Sequence, residues 1–189
     1  MTLANTEQDY QKVEKSLALA STLFSNEKWV HTEPNIWVAK SRLPQKYREP
    51  EKWEREMSQV RVLTNRGSVA FFLPEIEIKG ETGKRSADLV LDGEIVEMKT
   101  VSGSRATLGW QFKHGYKQGA SLLKGKTVLQ KHSVFIKLLN NLPLMSVMSK
   151  IAGELKDRSG QGRFICYFEK TMELYSWTYD ELRAIIGKK

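Results

Sequence analysis

Two short apolar runs, Leu89–Leu91 and Ile95–Val96, meet at Asp92-Gly93. Asp-Gly between apolar runs predicts a two-residue type I′ turn, whose central residues both take φ > 0. Such a turn fixes the register: Leu91 faces Glu94, Val90 faces Ile95, Leu89 faces Val96 and Asp88 faces Glu97. Side chains alternate along a strand, so Lys99 shares a face with Glu97 and Ile95, while Val96 and Met98 point the other way with Leu89 and Leu91. One face is expected in the core, the other carrying Asp, Glu and Lys. Directly opposed like charges are destabilising, so a cation is expected between Asp88 and Glu97.

Helical spacing governs most of the remaining chain. Tyr10, Val13, Leu17, Ala20 and Phe24 predict a helix from about Thr6 to Phe24. Short strands follow at 29–30 and 36–39, and SRLPQKYREP reads as a boundary between an N-terminal segment, 1–48, and the main domain, 49–189. Pro50 suits the first turn of a helix whose stripe is Trp53, Met57, Val60 and Thr64, and Gly67 ends it. Ser68–Leu73 reads as a buried strand, and a charged loop, Glu75–Arg85, leads to the hairpin. Beyond the polar stretch SGSRATLG, Trp110–Leu123 is a predicted helix although it contains Gly115 and Gly119, each costing ~1 kcal/mol relative to Ala. A strand at Ser133–Leu139, a helix at Leu144–Lys156, a second hairpin (Arg163–Phe168, Met172–Trp177) and a closing helix at Tyr179–Ile186 complete the chain. The expected class is mixed α/β, a mixed central sheet flanked by helices.

The 189 residues suffice for a full core. Thirty Lys and Arg against 22 Asp and Glu give a net charge of +8, which favours a polyanionic partner. The single cysteine, Cys166, excludes an internal disulfide and lies in the apolar run FICYF, where it reads as a structural thiol. No apolar run approaches the ~20 residues that span a bilayer. Glu7, Asp9 and Glu14 precede Leu17–Phe24 where a signal peptide would carry basic residues, so any export is expected to be encoded elsewhere, for instance in a larger parent polypeptide.

Asp88 and Glu97 suit a hard divalent cation, Mg²⁺ first and Mn²⁺ or Zn²⁺ as alternatives, because Mg²⁺ takes one or two carboxylates and completes its shell with water and phosphate. Basic residues cluster around them: Lys84 and Arg85 before the hairpin, Arg105 after it, and Lys113, His114 and Lys117 on the following helix. Contacts of this kind to phosphates give affinity and position rather than sequence readout.

From Pro50 to Leu139 the predicted order is αβββαβ, and Asp88 with Glu97-Met98-Lys99 falls on its second and third strands. This combination resembles the PD-(D/E)xK nuclease superfamily, with Ala87 in place of proline. The stretch GKRSADLVLDGEIVEMKT, the following Ser/Gly/Arg/Thr loop and the YKQ helix, together with Glu56, Gly67 and Leu73-Pro74, are similar to the C-terminal toxin domains of CdiA-type contact-dependent growth inhibition proteins, notably their tRNase-like group. The resemblance covers about 53–139. It implies a helix glutamate at the site, Glu56 with Glu54 as the fallback; a third metal ligand in the Met98 backbone carbonyl; Lys99 orienting or activating water; and Gln118 near Lys99. It further implies RNA, notably tRNA, as substrate, a cognate immunity protein as partner, and delivery within a larger secreted or cell-surface bacterial protein that acts in the target-cell cytoplasm.

Two other readings use the same residues. A DNA endonuclease of the restriction or repair kind would share the core, and a non-catalytic basic nucleic-acid-binding module would leave the acidic hairpin without a task. Within the nuclease reading, His114 and Lys99 could instead serve as general acid and base on RNA, with the 2′-OH as nucleophile and no metal.

Overall fold

The structure, a computed structural model, describes residues 3–75, 87–122 and 131–186. The chain divides into two compact units, 1–95 and 96–189. Each is α/β with parallel and antiparallel strand pairs.

In the first unit, β1 (Trp29–Glu33) pairs antiparallel with β2 (Ile36–Ala39), β2 runs parallel to β3 (Ala70–Phe72), and β3 pairs antiparallel with β4 (Leu89–Leu91). The parallel step needs a crossover, and α3 (Pro50–Thr64) supplies it. Proline starts α3, where its missing N–H costs nothing, and Gly67 follows its end with φ 85°. Trp53, Met57, Val60 and Leu63 form its buried face, with the Trp53 ring stacked 6.4 Å from Phe72. Trp37 and Phe71, directly paired across β2 and β3, stack at 5.0 Å.

The Asp92-Gly93 turn forms as the dipeptide predicts, with φ 49° and 79°. Asp92 is pinned to Val69 twice: its N–H donates to the Val69 carbonyl at 2.9 Å, and its carboxylate accepts the Val69 N–H at 2.8 Å. The N-terminal helix α1 (Leu3–Leu23) holds the other turn residue, because the Gly93 N–H donates to Ser16 Oγ at 2.8 Å. Here the structure corrects the expected stripe. Tyr10 and Leu17 face outward, while Ser16 and Ala20 are buried. Small residues let α1 approach the turn closely, and a Cβ on Gly93 would fall 2.5 Å from the Lys15 side chain.

SRLPQKYREP folds into a 3₁₀ turn (Lys40–Arg42) and α2 (Gln45–Arg48), each with a buried polar residue, Arg42 and Gln45.

In the second unit the strand order is β5 (Glu94–Val101, from residue 96 onward in this unit), β6 (His132–Leu138), β7 (Arg163–Phe168) and β8 (Glu173–Thr178). Strands β6 and β7 are parallel and β7 and β8 antiparallel. Helices α4 (Arg105–Leu122), α5 (Leu144–Leu155) and α6 (Tyr179–Ile186) contribute Leu108, Phe112, Val147, Ile151, Leu155 and Leu182 to one core with Phe164 and Cys166 of β7. Burial pushes the Cys166 thiol pKa up, as befits a structural cysteine. Helix α4 starts five residues earlier than the apolar spacing indicates. Ser104 caps it, its Oγ accepting the Thr107 N–H at 3.4 Å while its carbonyl accepts the Leu108 N–H at 3.0 Å. No helix among the described residues is long and apolar enough to cross a membrane.

Candidate active site

The hairpin is not a solvent-facing one. Leu89, Val90 and Leu91 are all buried, and so are Ile95 through Met98, while Asp88 and Lys99 are half-buried.

In the first unit an acidic cluster surrounds one guanidinium. Arg42, 4% exposed, donates through Nε to Gln45 (3.1 Å), through one terminal nitrogen to the backbone carbonyls of Leu73 (2.9 Å) and Asp88 (3.2 Å), and through the other to Glu56 (2.7 Å). Its flat face lies 4.9 Å from the centre of the Phe72 ring. Glu75 is 3.9 Å from the same guanidinium and is itself bound by Lys52 at 2.6 Å. A planar five-donor fork can serve side-chain and backbone acceptors together, which an ammonium cannot. Burial raises the Glu56 carboxyl pKa above its usual range; the Arg42 charge opposes this and the Asp88 charge adds to it. Glu56 thus lies within reach of the Asp88 charge, with Arg42 bound to both residues. A cleft of about 560 Å³ opens beside them, lined by Ser41, Arg42, Pro44, Gln45, Arg48, Glu49 and Glu75. Glu54, the fallback for Glu56, is exposed and paired with Arg61, which also grips Glu33 through two 2.8 Å bonds.

In the second unit, Glu97 is 2% exposed and its carboxylate is ion-paired with the Lys99 ammonium, two residues along the same strand face. Gly115 of α4 lies over this carboxylate's stem. A Cβ there would stand 3.2 Å from Glu97 Cγ and 3.1 Å from Val134 Cγ1. The glycine that weakens α4 thus lets the helix come down onto Glu97, and Gly119, one turn on, does the same over His132, with 3.1 Å to its Cβ. Half-buried Gln118 follows Gly115 by three residues, on the same side of α4. Met98 is buried.

Of the predicted phosphate contacts, Lys113, His114 and Lys117 are exposed on α4, and Arg105 at its first turn donates to Ser149 Oγ at 2.9 Å. Lys84 and Arg85 lie outside the described residues. Arg42 and Gln45 were missed from sequence. Nothing in the sequence marks them, because the partners at Leu73 and Asp88 are distant along the chain.

No protein-family model matches the chain, and neither does any curated protein. Among solved structures, the CdiA-CT/CdiI toxin and immunity complex from Burkholderia pseudomallei is similar over 65% of this chain and 81% of that one, at 14% identity and a TM-score of 0.45. A likeness at that level carries no argument about this chain.

Proposed function

We propose that this chain is a metal-dependent nuclease domain of a bacterial toxin, acting on RNA and most specifically on tRNA. The observation that carries the reading is the Glu97–Lys99 pair. Burying an ion pair costs desolvation energy that its attraction seldom exceeds, so such a pair is a poor means of stabilising a strand. A chemical task accounts for it. Asp88 and Glu97 flank Asp92-Gly93 in the sequence, and the register that such a dipeptide predicts is the basis for proposing that the two act together.

Among the described residues no three His, Cys, Asp or Glu side chains are disposed to hold a metal ion by themselves. A metal here would take the Asp88 and Glu97 carboxylates, with the Met98 carbonyl as a third donor, and draw the rest of its shell from water and phosphate, as Mg²⁺ does. Burial and then the Asp88 charge raise the Glu56 carboxyl pKa, which supports a place that welcomes a cation. When bound, the ion would lower the pKa of a water and neutralise phosphate charge. The protein's own part falls to Lys99, whose ammonium orients the attacking water and offsets charge on the phosphoryl oxygens as it leaves Glu97. Glu56 and Gln118 position these groups, and the cations of α4 and Arg105 hold the backbone. By the resemblance in residues 83–100, the partner is an immunity protein that covers this site, and the domain is delivered within a larger secreted or cell-surface protein to the cytoplasm of a target cell.

The test is incubation with total RNA, purified tRNA and plasmid DNA, with and without chelator, followed by mapping of product ends. RNA cleavage that stops in chelator and leaves no 2′,3′-cyclic phosphate is expected. Chelator-resistant cleavage with cyclic ends would replace the metal route with acid–base catalysis by His114 and Lys99. Preferential cutting of plasmid would make the domain a DNA endonuclease.

A further inference from the structure

Trp110 is the anomaly of α4. Tryptophan is highly buried on average, yet Trp110 is 56% exposed while Leu108, Phe112 and Tyr116 on the same helix fill the core. Lys113, His114 and Lys117 follow it at i+3, i+4 and i+7, all exposed, so the four make one stripe along the outer face. Within this stripe the indole and the His114 imidazole are 4.0 Å apart between ring centres, tilted by 42°. A ring braced by its i+4 neighbour has less freedom to lose on binding.

We propose that this stripe is a docking surface for single-stranded nucleic acid, in which Trp110 provides the stacking face for an unpaired base and Lys113 and Lys117 meet the flanking phosphates. The inference rests on the nucleic-acid reading above and adds the strandedness of the ligand. Charge complementarity selects the occupant: the stripe presents two ammonium groups and no carboxylate, on a chain of net charge +8. The aromatic ring then discriminates within that class. In a duplex the base faces are stacked away, whereas loops, bulges and single strands can lay a base against an aromatic side chain. Every base has a π-face, so such a platform is tolerant of sequence.

The test is fluorescence anisotropy in chelator with a short labelled oligouridylate and with duplex RNA of equal length, comparing the parent protein, Trp110→Ala, Trp110→Phe and the double variant Lys113→Ala/Lys117→Ala. Trp110→Ala should weaken oligouridylate binding roughly tenfold, the loss of one stacked base, and leave the duplex largely unaffected. Trp110→Phe should recover most of the loss. The lysine variant should weaken both ligands alike and flatten the salt dependence. Unchanged oligouridylate binding in Trp110→Ala, or an equal loss for both RNAs, overturns the stacking role while leaving the nucleic-acid reading in place. Failure of the parent protein to bind either RNA overturns both, and assigns the stripe to a protein partner.

Discussion

Glu56 and Glu97 are carboxylates withdrawn from water and answered by different cations. Arg42 binds Glu56 while also holding Gln45 and the backbone carbonyls of Leu73 and Asp88, and it is almost wholly enclosed. Lys99 meets Glu97 as a point charge at the end of a flexible stem, and about a fifth of its side chain remains accessible. The fork is committed to architecture, since moving it would release several acceptors at once. The ammonium, on its flexible stem, can be reassigned to an incoming anion. The two cations thus separate what shapes the first unit from what can swing toward an anion.

The comparison breaks first on activity. Lys99→Ala should lower cleavage by roughly 10²–10⁴-fold, the range for loss of a positioned proton-handling group. It should cost less stability than loss of Arg42, whose guanidinium serves four acceptors at once. Parent-level cleavage in folded Lys99→Ala would remove the lysine from the chemistry. The other half is tested by Arg42→Ala, which strands Glu56 and the Leu73 carbonyl and should cost about 3–5 kcal/mol in denaturant unfolding. Arg42→Lys should not restore it, because an ammonium lacks the fork. A loss below about 1 kcal/mol would show the guanidinium to be dispensable.

His132 sharpens the contrast as a buried group with no counter-charge. Only 5% exposed and packed 4.5 Å from the Tyr116 ring, it has a pKa pushed down by burial to about 4, and its Nε2 has no hydrogen-bond partner among the described residues. The folded pKa lies below the unfolded value near 6.5, so its contribution is complete above pH 6.5 and is lost as pH falls toward 4, amounting to about 3 kcal/mol. His132→Gln should flatten stability over that window; an unchanged pH profile would mean that His132 is already hydrated.

The smallest effect is expected at Gly115. An alanine gains about 1 kcal/mol of helix propensity but sets a methyl 3.2 Å from Glu97 Cγ. Net stability should move by less than about 1 kcal/mol, with cleavage falling because Glu97 is displaced. Undiminished cleavage would show that the close approach has no bearing on the carboxylate.

Sequence revealed most where structure is made by neighbours in the chain. Pro50 marked the start of α3, Asp92-Gly93 gave its turn type, and the bounds of α6 came from its own periodicity. It revealed least where partners are distant. Arg42 reads as a surface charge between prolines because its acceptors at Leu73 and Asp88 lie 31 and 46 residues away. The outward turn of Tyr10 and Leu17 was hidden for the same reason: the packed side of α1 meets the distant amide of Gly93 through Ser16, and apolar spacing carries no record of that contact. Ser104 was legible as a cap but masked by the polar, glycine-bearing stretch around it.

The bond between Ser16 and Gly93 joins positions 77 residues apart. In kinetic terms, the turn that sets the register of the acidic hairpin is completed by a helix that leaves the ribosome long before it. Closing a loop of that length slows folding, because its entropy must be surrendered before the contact returns anything. A chain emerging from its N-terminus would hold α1 waiting, with Ser16 and Ala20 uncovered, until the hairpin arrives. The register of the hairpin would then be locked among the last events in the folding of the first unit.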